Sequence, residues 1–239
     1  MNSDIVITSD STTDLSPELK ERYGIEICPL GITLGGKTYI DGVDITPDDI
    51  YAHHDKTGEL PKTSATNVGE CLDFFRKFTE SGKTVIHFTI SSEMPSTYAN
   101  ACLAAEELEN VYVINTENLS TGGGLLVVAA AQMREDGLSA EEIVEKTKAL
   151  VPCVDASFVI DSLEYLYKGG RCSALAMFGA NLLKLKPCIQ VKNGKMDVAK
   201  KYRGKYDEVL KQYIREKITD YSDIVLDRVF ITHAGCDSK

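Results

Sequence analysis

The chain opens with Ile5-Val6-Ile7-Thr8-Ser9-Asp10-Ser11-Thr12, in which a short apolar run passes directly into hydroxyl and carboxyl side chains. Ser16-Pro17 follows, with Ser as the N-cap and Pro as the first residue of a helix. The same order of apolar strand, polar residues and helix recurs twice, with strands at 84–90 and 111–115 and helices at 98–108 and 125–133. This alternation predicts an α/β fold with a Rossmann-like parallel sheet in an N-terminal domain, residues 1–150.

The pattern changes at about Val151. Alternating segments at 188–192 and 195–199 flank Asn193-Gly194, and Asn-Gly between alternating residues is the strongest short-range hairpin signal. These features predict a C-terminal α+β domain with an antiparallel sheet, residues 151–239. A ligand crevice is expected between the two domains.

Composition excludes several classes of function. The 239 residues carry a formal net charge of -10 with a pI near 5.0, which argues against nucleic acid as a partner because such binding relies on clustered Lys and Arg. The N-terminus lacks a basic segment and an apolar signal core, and the seven cysteines are widely spaced without a C-x-x-C pair. We therefore expect a cytoplasmic protein with reduced thiols and at most transient contact with membranes.

Two glycine motifs resemble nucleotide-binding loops. Gly31-Ile32-Thr33-Leu34-Gly35-Gly36-Lys37-Thr38 matches the phosphate-loop pattern letter for letter, but that loop requires a buried strand before it and a helix after it. Here Gly35-Gly36 lies between two strand-like segments, which favours a hairpin turn. Gly122-Gly123-Gly124 lacks dinucleotide-binding spacing and is interpreted as close packing of a helix on its strand. We expect neither cofactor nor metal.

Hydroxyl groups concentrate at three places where strands are predicted to end. These are Thr8-Ser9-Asp10-Ser11-Thr12, Lys62-Thr63-Ser64 and Ile90-Ser91-Ser92. In open α/β sheets, ligands bind beyond the carboxyl ends of the strands, so these groups predict a hydrogen-bonding cup for a small polar head group. The cup favours holding a ligand over transforming it.

An enzymatic alternative stays open. His233 ends the run Val229-Phe230-Ile231-Thr232, and with Asp10 and Ser11 it forms the candidate machinery of a small-molecule hydrolase or phosphotransferase. Ser11 and His233 are accordingly an additional candidate site. Against this alternative, the nucleophile elbow G-x-S-x-G is absent from the sequence.

Taken together, seven segments of this sequence resemble the DegV family in their order along the chain. They are Thr8–Thr12, Tyr39–Ile45, Lys62–Ser64, Ile90–Ser92, Thr97-Tyr98, Leu163–Arg171 and Thr232-His233-Ala234-Gly235. The family comprises bacterial fatty-acid-binding proteins, some of which are the substrate-carrying subunits of a two-component fatty acid kinase. The resemblance implies that the acyl chain is buried in a tunnel and its carboxylate is presented to an ATP-binding kinase subunit. It also implies a carrier that is not itself an enzyme.

The resemblance assigns roles to individual residues. Thr63, Ser64, Ser91 and Ser92 match the hydroxyls that hold the ligand carboxylate in the family. Arg171 matches the Arg of a Gly-Gly-Arg motif, and with Arg203 it is the candidate kinase-docking position. A lipid-sensing module without a kinase is a third reading of the same residues.

The sequence departs from the family pattern at two places. Met94-Pro95-Ser96-Thr97-Tyr98 replaces the usual Leu-Ser-Gly-Thr-Tyr, and a Gly lost there restricts how closely the backbone approaches a head group. The sequence stops at Lys239, before the family's final segment with its Gly-Pro-Gly and a histidine implicated in carboxylate binding. Both departures are expected to affect the head-group site. The apolar segment 175–183 is consistent with a tunnel lining, a core or an interface.

Overall fold

The computed structural model describes residues 4–94, 96–161, 164–169, 185–219, 223–225 and 228–233. Its main sheet has four strands, all parallel, in the order β2-β1-β6-β7. These strands are β1 (Ile5–Asp10), β2 (Glu26–Cys28), β6 (Thr84–Thr89) and β7 (Val111–Asn115). The predicted α/β fold with a parallel sheet is confirmed. β1 is longer than its apolar run, because Thr8, Ser9 and Asp10 continue the strand fully buried.

The described part of the chain contains eight α-helices, which pack on this sheet and on the two antiparallel sheets described below. They are α1 (Pro17–Tyr23), α2 (Pro47–Thr57), α3 (Val68–Thr79), α4 (Thr97–Ala105), α5 (Ser120–Glu135), α6 (Ala140–Leu150), α7 (Glu164–Lys168) and α8 (Tyr206–Thr219). Side chains of a strand alternate between faces, so Ile86 joins the core under α5 and α6, whereas its neighbour Val85 joins the core under α3 and α4. The helix starts follow from local capping: Thr46, for example, accepts from the Asp49 amide while the Asp49 carboxylate accepts from the Thr46 amide.

Helix α5 begins at Ser120, so the three glycines at 122–124 lie inside its first turns rather than before it. A Cβ on Gly124 would lie 2.9 Å from the Thr13 carbonyl oxygen, and one on Gly122 would lie 2.9 Å from the Ala156 Cβ. Close packing at these glycines is confirmed, but the neighbours are Thr13, in the turn after β1, and Ala156 rather than residues of the preceding strand. The absent side chains bring α5 against the loop that follows β1.

A second, antiparallel sheet has the order β4-β3-β5 and packs a small core of its own. Its strands are β3 (Gly31–Leu34), β4 (Lys37–Ile40) and β5 (Lys62–Ser64). Gly35 and Gly36 have φ of 57° and 75° and connect β3 to β4 in register, with Leu34 opposite Lys37. The letter-perfect phosphate-loop motif is therefore a two-residue hairpin, as its context predicts.

The third sheet is antiparallel, with the order β10-β9-β8. Its strands are β8 (Ala156–Val159), β9 (Lys186–Lys192) and β10 (Lys195–Tyr202), and α8 packs against it. Asn193 and Gly194 have φ of 49° and 76° and form the turn between β9 and β10. The hairpin predicted from Asn-Gly is confirmed.

His87 lies in the middle of the parallel sheet, on β6. Its Nδ1 is 2.8 Å from the Thr8 hydroxyl of the neighbouring strand, and its ring packs edge-on against Phe75. In the sequence, His87 stands inside the apolar run 84–90, which predicts a hydrogen-bonded core histidine, and the structure confirms this prediction. Burial lowers the pKa of His87 to about 3, so the ring is neutral in the folded protein at neutral pH.

No helix in the described ranges is both long enough and apolar enough to cross a lipid bilayer. The described cysteines Cys28, Cys71, Cys102, Cys153 and Cys188 are all free thiols.

Candidate functional site

The carboxyl ends of β1, β6 and β7 meet at one edge of the parallel sheet, because neighbouring parallel strands run in the same direction. Asp10 ends β1, Thr89 ends β6 and Asn115 ends β7. The loops that follow these strands carry Ser11, Ser91 and Ser92. The tertiary structure thus brings together two of the three hydroxyl-rich segments singled out in the sequence.

Asp10 connects the first two of these loops. Its Oδ1 accepts hydrogen bonds from the Thr12 amide at 3.1 Å and the Thr12 hydroxyl at 2.5 Å, and its Oδ2 accepts from the Ile90 amide at 2.7 Å. Burial raises the pKa of the Asp10 carboxyl, and these three donors oppose that rise by favouring the ionised form. Because Ile90 directly precedes the paired serines, Asp10 holds the loop that presents them.

Ser91 and Ser92 occupy different environments. Ser91 is fully buried; its hydroxyl accepts from the Glu93 amide at 3.2 Å, and its own amide donates to the Asn118 carbonyl at 2.9 Å. Ser92 is exposed, and its amide donates to the Asn115 Oδ1 at 3.1 Å. The Asn115 Nδ2 donates to the Ser92 hydroxyl at 2.8 Å. The loop is therefore anchored from β1 by Asp10 and from β7 by Asn115.

The β9–β10 hairpin lies directly over Ser91. A Cβ on Gly194 would be 2.5 Å from the Ser91 hydroxyl, so the turn backbone contacts the buried serine as closely as a glycine permits. Lys195 forms an ion pair with Glu93, with 2.9 Å between Nζ and Oε2. The C-terminal sheet thus closes one side of the site, and Ser92, Thr63 and Ser64 are the hydroxyl-bearing residues left exposed.

Thr63 and Ser64 lie on β5, the edge strand of the second sheet, where all three residues are exposed. The expectation that this segment ends a buried strand is wrong. A three-residue strand of polar side chains buries no apolar surface of its own, and it pairs antiparallel with β3, placing Ser64 opposite Gly31. Just beyond it, the Thr66 carbonyl accepts from the Asn100 Nδ2 of α4 at 2.9 Å, which ties the end of β5 to the helix that follows the Ser92 loop.

Ser11 and His233, the additional candidate site, are not joined by a hydrogen bond in the described structure. The Ser11 hydroxyl donates to the Asp41 Oδ2 at 2.6 Å and accepts from the Leu30 amide at 3.2 Å. His233 is exposed, and its neighbour Thr232 lies 2.7 Å, oxygen to oxygen, from the Thr121 hydroxyl. This contact brings the His233 segment to the start of α5. Within the described ranges no hydrogen bond joins Ser11, Asp10 and His233, so the geometry gives the enzymatic alternative no nucleophile–base pair.

The backbone is strained around the same edge of the sheet. Four described residues other than glycine have positive φ, and three of them follow β1 or β7: Asp14 at 47°, Glu117 at 49° and Ser120 at 50°. Such conformations cost free energy and concentrate at binding and catalytic sites. The pKa of Asp14 is raised, first by burial and then by Asp41, while a hydrogen bond with Ser120 opposes the rise.

A groove of about 420 Å³ runs along the β9–β10 hairpin beside Glu93. Its lining is mainly polar and charged, including Lys192, Lys195 and Asp197, and so does not suit an acyl chain. The apolar segment 175–183 and the docking candidate Arg171 lie outside the described residues. Arg203, the other docking candidate, is exposed just after β10.

Asn115 and Gly194 contribute to this site, although no sequence pattern assigns them to it. Both were visible in the sequence, Asn115 as the last residue of a predicted strand and Gly194 as a turn residue. Their proximity to Ser91 and Ser92 depends on how the strands and sheets assemble. Among the residues described, no group of three or more His, Cys, Asp or Glu side chains is placed to hold a metal ion.

The fold and the site define an α/β protein in which hydroxyl side chains gather at the carboxyl edge of a parallel sheet, beside a small antiparallel sheet and under a C-terminal hairpin. A family model described as "Uncharacterised protein, DegV family" matches residues 4–239. The chain belongs to the DegV family. A DegV domain-containing protein of Clostridium acetobutylicum is 37% identical over 202 residues, which are 84% of this chain and 72% of the relative.

Solved structures agree with this assignment. One from Thermus thermophilus, described as showing fatty acid binding of a DegV family protein, superimposes with a TM-score of 0.79 at 31% identity, covering 89% of this chain and 77% of that one. A stearic acid-binding protein from Eubacterium ventriosum gives a TM-score of 0.78 at 34% identity, covering 90% of this chain and 78% of that one. The expected DegV-like fold is confirmed.

Proposed function

We propose that this protein binds a long-chain fatty acid in a buried tunnel and holds its carboxylate with Thr63, Ser64, Ser91 and Ser92. The observation that carries the proposal is the similarity of the chain, at 31% and 34% identity, to DegV structures whose descriptions name fatty acid binding. The hydroxyl groups at the carboxyl edge of the parallel sheet supply donors suited to a carboxylate.

The tail and the head of such a ligand play different parts. Burying roughly fourteen methylenes at ~0.8 kcal/mol each gives about 11 kcal/mol before ordering costs are subtracted, so the tail dominates affinity. A hydroxyl that donates to a carboxylate contributes about 1.5 to 3 kcal/mol and does so in one geometry only. The hydroxyl groups therefore position the head and select for a carboxylate.

The test is the double variant Thr63→Ala with Ser92→Ala, assayed for oleate and methyl oleate by displacement of a fluorescent fatty acid. Loss of two charge-assisted hydrogen bonds is expected to weaken oleate binding by roughly 10²- to 10⁴-fold, with a much smaller effect on the ester. The matched control is Thr38→Ala with Ser81→Ala, which removes the same groups from exposed positions on β4 and after α3. Unchanged oleate affinity in the Thr63/Ser92 variant would refute the head-group assignment.

We further propose that the protein is a carrier rather than an enzyme and presents the carboxylate to an ATP-binding fatty acid kinase. This part draws on the family resemblance and on the exposure of Arg203 at the edge of the C-terminal sheet, with Arg171 as the second docking residue. A charge reversal, Arg203→Glu, is expected to abolish capture of the kinase while leaving oleate affinity unchanged. Arg76→Glu on the exposed face of α3 is the control. Equal capture by both variants would refute Arg203 as a docking residue, whereas no capture by the wild-type chain would favour a lipid-binding module without a kinase.

A further inference from the structure

Asn115 is held in one orientation at the end of β7. Its Oδ1 accepts two backbone hydrogen bonds, one from the Ser92 amide and one from the Glu117 amide, each at 3.1 Å. Reversing the side-chain amide would point its N–H groups at both of these N–H donors. The carbonyl oxygen of Asn115 must therefore face the backbone, and its Nδ2 must face the other way.

This orientation fixes the role of the Ser92 hydroxyl. The Asn115 Nδ2 donates to the Ser92 Oγ at 2.8 Å, so the serine oxygen acts as the acceptor in that bond. The Ser92 proton must then point elsewhere, and in the described part of the chain no group accepts it. Because Ser92 is exposed, its proton is available to solvent or to a ligand that binds at this edge of the sheet. The Ser92 amide is already used by Asn115, so the hydroxyl is the donor that Ser92 offers to a ligand.

We infer that Asn115 is a positioning residue that makes the Ser92 hydroxyl a hydrogen-bond donor toward the ligand. The site therefore selects a carboxylate, whose oxygens only accept hydrogen bonds, over head groups that need an acceptor from the protein. This inference rests on the proposed function. Asn115 acts through Ser92 and does not itself hold the ligand. Its effect is on selectivity between head groups, which a purely structural role would not change.

The decisive variant is Asn115→Asp, which has the same shape. In this variant one carboxylate oxygen still accepts from the Ser92 and Glu117 amides. The other carboxylate oxygen takes the place of the Asn115 Nδ2, and it accepts the Ser92 proton where the Nδ2 donated to the serine oxygen. The hydroxyl is thereby turned from a donor to an acceptor. Asn110→Asp is the matched control, since it makes the same change of charge at an exposed position just before the opposite end of β7.

The assay measures dissociation constants for oleate and oleyl alcohol in the full chain, with circular dichroism to confirm that each variant is folded. Asn115→Asp is expected to weaken oleate binding by about 10- to 100-fold and to change oleyl alcohol binding by less than about threefold. Asn110→Asp should leave both constants unchanged. Ser92→Ala should weaken oleate binding in the wild-type background but have no further effect in the Asn115→Asp background. If Asn115→Asp acted only by charge repulsion, Ser92 would still donate to oleate, and its loss would weaken binding in both backgrounds.

The outcomes distinguish this inference from the function on which it rests. Equal losses for oleate and oleyl alcohol in Asn115→Asp would show a structural role and overturn the inference, as would a full effect of Ser92→Ala in that background. Oleate binding that is insensitive to Ser92→Ala in the wild-type background would overturn the inference while leaving fatty acid binding intact. A wild-type chain that binds neither ligand would overturn the proposed function itself.

Discussion

His87 makes the stability of this protein depend on pH in a direction and range that can be calculated. Its ring is fully buried between Phe75 and the Thr8 hydroxyl, and burial lowers its pKa from an ordinary 6.5 to about 3. Between these two values the unfolded chain binds a proton that the folded chain excludes. The sign follows directly: the free energy of unfolding must fall as the pH falls below about 6.5.

The magnitude follows from the two pKa values. At pH 7 the His87 contribution lowers the free energy of unfolding by about 0.2 kcal/mol, and at pH 5 by about 2 kcal/mol, a loss of roughly 2 kcal/mol over this interval. Below about pH 6 the slope approaches ~1.4 kcal/mol per pH unit, the value for one proton. A domain stable by ~5–15 kcal/mol would stay folded throughout, so the loss is measurable by urea unfolding.

The perturbation is His87→Asn, whose side-chain amide reaches Thr8 in place of the ring Nδ1 but does not titrate. The variant will be less stable than the wild type at every pH because the ring is lost, so the measurement is the pH dependence. Urea unfolding at pH 7, 6 and 5 should show the wild type losing about 2 kcal/mol more than the variant. Contributions from Asp10 and Asp14 are common to both proteins and cancel in the difference.

His233→Asn is the control, because it makes the same substitution at a histidine that is exposed in the described structure and leaves His87 in place. The loss attributed to His87 should persist in this variant. Parallel stability curves for wild type and His87→Asn between pH 7 and pH 5 would refute the reasoning. They would mean that the buried ring accepts a proton in the folded state about as easily as in the unfolded chain.

Two further predictions concern the C-terminal sheet. Gly194→Ala should lower the midpoint of thermal unfolding by about 2–12 °C more than Gly36→Ala does. Both glycines have φ near +75°, so the backbone strain of the two substitutions is matched. Only at Gly194 would the new methyl group meet a neighbour, the Ser91 hydroxyl at 2.5 Å, and such overpacking costs ~1–3 kcal/mol. Equal shifts would exclude the hairpin contact. Glu216 accepts hydrogen bonds from Lys200, Tyr202 and Gln212, which lower its pKa to about 2; its stabilising effect is therefore complete above about pH 4.5 and lost as the pH falls toward 2. In urea unfolding, Glu216→Gln should remove that part of the loss of stability at acid pH. The same loss in the variant and the wild type would contradict the stabilising role of the Glu216 carboxylate.

The acids at the sheet edge explain why a cleft rich in carboxyl and hydroxyl groups need not be catalytic. Asp10 is occupied by three donors from its own loop and from Ile90, and Asp41 accepts from Ser11. A general base needs a free lone pair directed at a reacting proton. Asp10 instead fixes the loop that presents Ser91 and Ser92, and Asp41 holds the Ser11 hydroxyl, which is consistent with a binding protein.

Elements that depend only on neighbouring residues could be predicted from the sequence. Local signals predicted the β-loop-α start at Ile5, the Gly35-Gly36 and Asn193-Gly194 hairpins and the buried histidine of β6. Their physical basis is local, since a positive φ at a turn, a hydrogen bond at a helix N-cap and an alternating apolar strand are all set within a few residues. The same locality allowed the phosphate-loop motif to be rejected from the strand-like residues on either side of it.

The arrangement of those elements into a site could not be predicted from the sequence and depends on the tertiary fold. Thr63 and Ser64 lie on an exposed edge strand rather than at the end of a buried strand. Ser91 is buried beneath Gly194, whereas Ser92 is exposed and hydrogen-bonded to Asn115. These outcomes depend on contacts between residues 23 to more than 100 positions apart in the chain. Spacing along the sequence carries no information about such contacts, because strand order and sheet packing are set by the burial of whole faces rather than by any local pattern.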